Sequence, residues 1–242
     1  MKHFYYFLLI FFLILSSCIS INPNSTKGNK TIISQEIEIQ DYIGIEMSVP
    51  GQVIYRQTPD NKPYFQISTD ENLLSLLDIS VDENTLTIKT ANHENISPSQ
   101  LTIYTNSSQL ANIKIAGSAD VKLSENVKSE DLHITISGVG KVEADDLYCE
   151  KLQLKISGAG SVQLKGAGDL LSCSVSGVGS IYAFDYIAQN VGCSVSGSGN
   201  VNVYAEEKID ARVSGVGSIR YKGNASQINK KVSGVGSIGY VR

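Results

Sequence analysis

The stretch KISGAGSVQL (residues 155–164) is one of seven related segments in the second half of the chain. SVSGVGSIYA follows at residues 174–183, and RVSGVGSIRY at residues 212–221. A repeat near 20 residues is typical of solenoids, in which each repeat packs only on its neighbours. The first glycines of the seven units are Gly117, Gly138, Gly158, Gly177, Gly197, Gly215 and Gly234, at spacings of 18 to 21 residues.

Apolar residues alternate with polar ones on both sides of these glycines. Around Gly158, Leu154 and Ile156 precede the glycine, and Val162 and Leu164 follow it. This alternation predicts half-buried strands on either side of a sharp glycine turn. Each unit then consists of a strand, a glycine turn that reads S-G-x-G in all units but the first, a second strand and a polar connection. The sequence therefore predicts an all-β right-handed parallel β-helix, or solenoid, with coils of about 20 residues that bury one apolar column.

The repeated units have three other interpretations. Gly234–Gly239 is a literal G-x-G-x-x-G, but a dinucleotide-binding loop leads into a helix, whereas this segment is the seventh copy of the turn. Calcium-binding repeats require G-G-x-G-x-D, and here Ser usually stands at the position of that Asp. Leucine-rich repeats require an L-x-x-L-x-L pattern, which is not visible. A turn within a β-helix accounts for all seven units.

The N-terminal residues have the pattern of an export signal. Lys2 precedes an apolar run over residues 4–15, which is too short to span a membrane as a helix. Residues 15–18, Leu-Ser-Ser-Cys, resemble a bacterial lipobox, in which the Cys is lipidated. We therefore predict lipidation at Cys18; the alternative is an ordinary signal peptide with a chance cysteine. The protein would be anchored to the outer membrane, facing the periplasm or displayed on the cell surface.

Composition and patterning divide the chain into four parts. Residues 1–17 are predicted to be a lipoprotein signal peptide, and residues 18–32 a flexible tether. Residues 33–110 are predicted to be an N-terminal β region that caps the solenoid, with one short helix in TDENLLSLLDI (69–79). Residues 111–242 form the seven-repeat β-helix. The net charge of −4 and the absence of a basic patch argue against a nucleic-acid partner.

Three further cysteines fall in the repeats. Cys173 and Cys193 occupy the same inward position in adjacent coils, where they serve either as small core residues or as a disulfide pair. Cys149 lies in a connection. These spacings do not resemble a metal site, and His93 and His133 have no ligating neighbours at suitable spacing. We predict no metal or cofactor.

Two groups of residues have chemistry to offer on the repeats. The first is an acidic surface cluster, which would serve a carbohydrate-active β-helix enzyme as an alternative function: Glu143, Asp145, Asp146 and Glu150. The second comprises tyrosines of the C-terminal coils, which could stack on sugars: Tyr182, Tyr186, Tyr204, Tyr221 and Tyr240. The register of Tyr221 and Tyr240 predicts that these two lie in the core at the end of the stack.

The order of segments resembles a known family. VPGQVIYRQ (49–57), then DENLLSLLDISVDENTLTIKT (70–90), then LTIYTNSSQLANIKIAGSADVKL (101–123) precede the serial S-G-x-G turns. This order is similar to the putative auto-transporter adhesin head GIN domains of Bacteroides-type lipoproteins, over roughly residues 35–225. The resemblance implies a right-handed β-helix in an exported, membrane-anchored protein and provides no catalytic residue. We expect a non-enzymatic role in adhesion, ligand binding or the envelope, with a glycan or an envelope protein as partner.

Overall fold

The computed structural model describes residues 25–60 and 62–242. One helix in these ranges, α1 (Glu71–Leu74), accompanies eighteen strands. In chain order the strands are β1 (Thr26–Lys27), β2 (Ile32–Glu36), β3 (Gly44–Met47), β4 (Gly51–Gln57), β5 (Tyr64–Asp70), β6 (Leu77–Asp82), β7 (Thr85–Thr90), β8 (Ile96–Ser97), β9 (Leu101–Ser107), β10 (Asn112–Ile115), β11 (Ser118–Ile136), β12 (Val139–Ile156), β13 (Ala159–Val175), β14 (Val178–Val195), β15 (Ser198–Val213), β16 (Val216–Lys222), β17 (Gln227–Val232) and β18 (Val235–Tyr240).

The repeats stack as parallel strands in register. Ile136 pairs with Ile156, and Ile156 with Val175, so that one column of β-branched side chains is buried along the stack. Burial of each such side chain contributes about 1.5–3 kcal/mol. The predicted β-helix is confirmed: the chain forms a β-solenoid of about six turns with coils of about 20 residues.

Each coil has three sides, one more than the sequence analysis predicted. In β12 the strand turns after Ala144, continues through the buried Leu147 and Cys149, and turns again towards Leu152. Leu147 pairs with Gly166 of the next coil. The predicted polar connection is therefore a strand, whose backbone groups form hydrogen bonds with the neighbouring coils. Cys149, which was predicted to lie in a connection, is a core residue.

The corner glycines are required by the stacking of the coils. A Cβ added to Gly158 would overlap the carbonyl oxygen of Gly138 in the preceding coil. At the second glycine of a unit, Gly179, a Cβ would lie 2.8 Å from Cγ2 of Ile156. The N–H groups of Ser157 and Gly158 both donate to the carbonyl oxygen of Ile136, at 2.9 and 3.2 Å. The S-G-x-G motif thus turns the chain where coils approach most closely.

The N-terminal coils do not stack in chain order. β3 and β4 form one coil, and β7 and β9 form another that lies outside it. On its other side the β3–β4 coil pairs with β10 and β11. Three antiparallel contacts complete this end of the stack: β6 pairs with β7, β5 with β9, and β2 with β5. The parallel solenoid therefore ends in antiparallel strands, which cover its core as solenoids require.

The predicted helix over residues 69–79 is shorter than expected. Only Glu71–Leu74 is helical, because Leu77 begins β6 and pairs antiparallel with Thr90. Within the described ranges no helix is long and apolar enough to cross a membrane.

The N-terminal segment is fastened to the cap by a buried carboxylate. Asp70 accepts hydrogen bonds from the N–H of Lys30 at 2.6 Å and from the N–H of Ser99 at 2.7 Å. Burial opposes ionisation of Asp70, but these hydrogen bonds outweigh it and lower the pKa of the carboxyl. Since Thr26–Lys27 also pairs with Ile96–Ser97, the fold includes residues that we assigned to the tether. The predicted signal peptide (1–17) and Cys18 lie outside the described residues.

Candidate functional site

The acidic cluster is spread along β12, and two of its four carboxylates form ion pairs. Glu143 forms an ion pair with Lys141. Asp145 accepts a hydrogen bond from Nζ of Lys165 at 3.0 Å, and this contact lowers the pKa of the Asp145 carboxyl. A carboxyl that acts as general acid needs the opposite shift.

The other two carboxylates of the cluster have different neighbours. Asp146 accepts a hydrogen bond from Nδ2 of Asn126 at 3.0 Å. Glu150 lines a separate cavity, beside Lys128 and Tyr148. The four carboxylates therefore have separate surroundings, and neighbouring coils contribute partners, Asn126 and Lys165, that the sequence analysis did not identify.

The histidines and cysteines offer little reactive chemistry. His93 lies exposed in a turn, and Nε2 of the half-exposed His133 is 3.0 Å from Oδ1 of Asp131. Cys173 and Cys193 pair in register with both side chains buried, and each is a free thiol. Across residues 25–60 and 62–242, no group of His, Cys, Asp and Glu could hold a metal ion.

A more distinctive surface lies beside the S-G-x-G corners, where an open groove of about 570 Å³ crosses several coils. We call this surface the corner face. One wall carries Lys141, Gln163, Tyr182 and Asn200. The other wall carries the residue that follows the first glycine in three successive units, namely Val178, Ser198 and Val216. The corner face consists of Lys141, Gly160, Ser161, Gln163, Val178, Gly179, Ser180, Tyr182, Ser198, Gly199, Asn200, Val216 and Gly217.

Valines form an exposed ridge along the S-G-x-G corners, and two of them, Val178 and Val216, line the groove. Val139, Val178, Val216 and Val235 are 56%, 64%, 60% and 77% exposed, respectively. In the register of the stack, Ala159 and Ser198 separate the first three valines, whereas Val216 and Val235 are direct neighbours. Stacking of the coils explains the adjacent glycines, but it does not explain why an apolar residue recurs at a position that points into solvent. An apolar residue that recurs in solvent is typical of a contact surface.

The polar wall provides hydrogen-bonding groups of several kinds. Tyr182 is 49% exposed, and Gln163 lies beside it in the preceding coil. Oγ of Ser218 donates to Oδ1 of Asn200 at 2.7 Å, which orients the amide. A hydrogen bond with Glu143 raises the pKa of Lys141, so this lysine remains a cation. The groove thus combines an apolar edge with hydroxyl, amide and ammonium groups, and it suits an extended ligand.

Residues 41–225 match the family described as putative auto-transporter adhesin, head GIN domain. The chain belongs to this family. The resemblance noted from the order of segments is thereby confirmed. The family description names adhesins and no enzyme, and an adhesin-like family is typical of exported envelope or surface proteins.

Solved structures resemble this chain over most of its length. A putative adhesin from Bacteroides fragilis is 30% identical, with a TM-score of 0.86, over 90% of this chain and 100% of that chain. A putative lipid binding protein from Parabacteroides distasonis is also 30% identical, with a TM-score of 0.71, over the same shares of the two chains. A putative adhesin from Parabacteroides merdae, at 23% identity and a TM-score of 0.68, shares the fold over 90% of this chain and 100% of that chain. Comparison with curated proteins gave no match.

The tyrosines of the GIN domain divide between core and surface. Tyr182 lies on the corner face, whereas Tyr186 is fully buried. Tyr221 is buried as predicted, but Tyr240 is 55% exposed, because in the described residues no coil covers it. Their rings meet edge to face, with centroids 5.5 Å apart. Tyr204 is half-buried.

Sequence reasoning did not identify the corner face of this GIN domain as a site. Its signal was present: Val recurs between the two glycines at Val139, Val178, Val216 and Val235. A β-branched residue in a predicted β-protein indicates a strand and gives no indication of exposure. Only the stacking shows that this position points outward.

Proposed function

We propose that this protein is an exported, lipid-anchored adhesion module that binds a carbohydrate chain along the corner face. One observation carries the proposal: a groove of about 570 Å³ with an exposed valine ridge on one side and Tyr182, Gln163 and Asn200 on the other. Equivalent residues of the groove in successive coils are about 4.8 Å apart, which is the spacing of stacked strands. An extended polymer can therefore make similar contacts on successive coils.

The chemistry of the groove favours a glycan over an envelope protein. Sugars present hydroxyl groups beside apolar C–H faces, which match the amides of Gln163 and Asn200 and the ring of Tyr182. A stable protein interface usually needs a larger, well-packed apolar centre, whereas this ridge is interrupted by Ser198. Adhesin-like relatives are consistent with capture of an external ligand.

The alternative function, hydrolysis or cleavage of a polysaccharide at the acidic cluster, has less support. Asp145 is paired with Lys165, and its pKa is lowered by this contact. A retaining or inverting glycosidase needs one carboxyl group protonated near neutral pH. We therefore assign the cluster to the solvated surface of the solenoid.

The test of the glycan proposal is a binding screen followed by substitutions on the corner face. The full-length chain, purified in detergent, is screened on immobilised envelope and host polysaccharides, and affinity for each ligand found is measured by calorimetry. We expect Tyr182→Ala and Gln163→Ala each to weaken binding by about tenfold, as loss of about 1.4 kcal/mol requires. Tyr148→Ala is the matched control, because Tyr148 is similarly exposed on another side. Unchanged affinity in both groove variants, or no glycan bound at all, would remove the proposal.

Anchoring is tested separately, through Cys18. The wild-type chain should incorporate labelled fatty acid and partition into detergent, and Cys18→Ser should do neither. Treatment of intact cells with a protease that cannot enter them then distinguishes the two sides of the outer membrane. Rapid loss of the domain indicates surface display, and protection until lysis indicates a periplasmic location.

A further inference from the structure

The two ends of the solenoid differ in how their outermost strands are covered. At the end formed by β17 and β18, which we call the open end, nothing in the described residues packs over the last coil. The apolar residues Ile228, Val232 and Tyr240 are 49%, 45% and 55% exposed there. Every residue of β17 is exposed. Unpaired edges of this kind are templates for pairing with another strand.

At the opposite end, which we call the cap end, β2 and β6 are the outermost strands. Beside them lies a groove of about 430 Å³ with partly apolar walls. Ile37, Leu74, Leu77 and Ile79 line it together with Glu71. Both ends of the molecule therefore present strand edges next to partly exposed apolar side chains.

The two ends carry opposite charge. Residues 214–242 include five Lys or Arg and no Asp or Glu. Residues 32–83, which contain the strands of the cap end, include ten Asp or Glu and two Lys or Arg. Opposite potentials of this kind steer surfaces together and fix their register.

We propose that copies of this chain associate head to tail, with the open end of one copy seated on the cap end of the next. The arrangement of the sheet supports this pairing. β17 and β6 are the two terminal strands of one side of the stack, and β18 and β2 are the terminal strands of another. β6 runs antiparallel to the stacked strands, and β2 runs parallel to them, because it is antiparallel to β5, which is itself antiparallel to β9. Coaxial stacking thus adds β6 to β17 as an antiparallel strand and β2 to β18 as a parallel one.

Continuing the register of the stack across this junction pairs opposite charges. Along one side, the residues that pair from strand to strand with Lys231 form a column that ends at Ser80 of β6. A second copy that continues this column places Lys231 opposite the neighbour's Ser80, between Asp78 and Asp82. Along the other side, the column that contains Arg220 runs through Gly239 at the open end and ends at Glu36 at the cap end. Arg220 and the neighbour's Glu36 would then lie in the same column, with only Gly239 between them.

Other arrangements of two copies are less favourable. Two open ends would oppose Lys230 and Lys231 to the same residues of the partner, and like charges opposite each other are destabilising. Two cap ends would oppose acidic residues in the same way. A head-to-tail contact is heterologous and does not close on itself, so the expected product is a linear chain of copies.

The test compares the assembly of charge-reversed variants. The full-length chain, purified in detergent, is followed by sedimentation at increasing concentration in about 50 mM and about 500 mM salt. We expect the mean mass to rise steadily with concentration in low salt and to fall in high salt. Lys231→Glu with Arg220→Glu places acidic side chains opposite the acidic residues of the neighbour's cap end, and Asp82→Lys with Glu36→Lys places basic side chains opposite the neighbour's Lys231 and Arg220. Each variant alone should lose at least about tenfold in association, and an equimolar mixture should recover it, because each junction in the mixture again joins opposite charges.

Lys155→Glu is the matched control, because Lys155 lies in the same column as Lys231 but within the stack, and it should assemble like the parent. Recovery in the mixture also shows that both variants are folded. The proposal is overturned if the parent remains a single chain in low salt, if growth stops at two copies, or if the charge-reversed variants assemble as the parent does.

Discussion

The phenol of Tyr186 donates a hydrogen bond of 3.1 Å to the carbonyl oxygen of Cys149, two coils away. Gly168 lies between them, paired with Cys149 on one side and with Ala188 on the other. A Cβ on Gly168 would overlap both the phenol oxygen and the Cys149 carbonyl oxygen. The absence of a side chain at this position therefore lets the tyrosine ring fill the third side of the coil and satisfy a buried acceptor.

Gly168→Ala is expected to destabilise the fold because no direction is free for the added methyl group. Overpacking at such a position typically lowers the free energy of unfolding by about 1–3 kcal/mol. Gly192→Ala is the matched control, since no atom lies within 4 Å of a Cβ there. It should leave stability unchanged or raise it by about 0.4–1 kcal/mol. Urea denaturation of the two variants checks the difference, and equal stability would contradict this account of Gly168.

Tyr186→Phe should lower the free energy of unfolding by about 1 kcal/mol, because the carbonyl oxygen of Cys149 loses this hydrogen bond in a buried site. The ring itself remains, so no cavity forms. In combination with Gly168→Ala the two effects should not add, because the methyl group already displaces the phenol. A double-mutant cycle by urea denaturation measures this coupling, and strict additivity would indicate that Gly168 and Tyr186 act independently.

The buried tyrosines of the N-terminal coils predict a loss of stability in alkali. Burial raises the pKa of Tyr55 to about 12, while its hydrogen bond with Oγ of Ser107 partly offsets the effect. Burial likewise raises the pKa of Tyr42, which bonds Oγ1 of Thr105 at 2.7 Å. The unfolded chain releases these protons near pH 10. The contribution of the buried phenols to the free energy of unfolding is therefore complete below pH 10 and is lost as the pH rises towards 12.

Tyr55→Phe should make this loss shallower by up to about 1.4 kcal/mol per pH unit, the limit for one proton. Urea denaturation of the variant and its parent between pH 8 and 12 provides the comparison. Tyr104→Phe, which alters an exposed ring, should follow the parent. If the Tyr55 variant also follows the parent, the phenol does not titrate as described.

The Asp70 carboxylate predicts an acid-sensitive attachment of the N-terminal segment. Its lowered pKa means that the stabilisation is complete above the unfolded value, near 4, and is lost as the pH falls through the lower folded value. Asp70→Asn should release the segment at neutral pH, because an amide cannot accept the same bonds from Lys30 and Ser99 as an anion does. Hydrogen exchange should show faster exchange in residues 26–32 and 96–101. Asp60→Asn is the control, and protection retained in Asp70→Asn would contradict this role.

The thiols of the solenoid should react only after unfolding. Burial raises the pKa of Cys149, and both the contact with Cys193 and burial raise that of Cys173. The thiolate is the reactive form, so native protein near pH 8 should show no labelling by a thiol reagent at these residues. Denaturant should expose all three. Peptide mass mapping checks this outcome, and a Cys173–Cys193 disulfide would instead appear as one linked peptide pair that resists labelling until reduction.

The sequence predicted the two sides of each coil that meet at the glycine corner, because there the alternation is strict. Ile156 and Val162 keep a fixed distance from Gly158, and their counterparts do the same in every unit. The third side escaped prediction because two exposed residues, Asp145 and Asp146, turn the chain between Ala144 and Leu147 and break the period of two. Register shifts at this corner differ from coil to coil, so the units cannot be aligned there by eye.

The candidate site was harder to predict than the fold. Repetition of Gly138 and Gly140 in later coils is explained by stacking, and it drew attention away from Val139 between them. The pairing of Asp145 with Lys165 joins residues 20 positions apart and follows only from the register of the coils. The opposite charges of the two ends likewise could not be predicted, because the sequence alone does not show that β6 and β17 are terminal strands of the stack.

The out-of-order stacking of the N-terminal coils has a consequence for the time course of folding. From β11 onwards, each coil finds its partner within about one repeat of chain, so ordering can spread from coil to coil by short-range closure. The β3–β4 coil instead has its partners at Thr85–Ile88 and Thr102–Ser107 on one face and at Asn112–Ile115 and Ala119–Ser124 on the other, all of them farther along the chain than one repeat. A chain that emerges from its N-terminus therefore cannot complete both faces of its first coil until the first repeat has emerged. We expect the nucleus to form among the repeats and the cap to assemble on it afterwards.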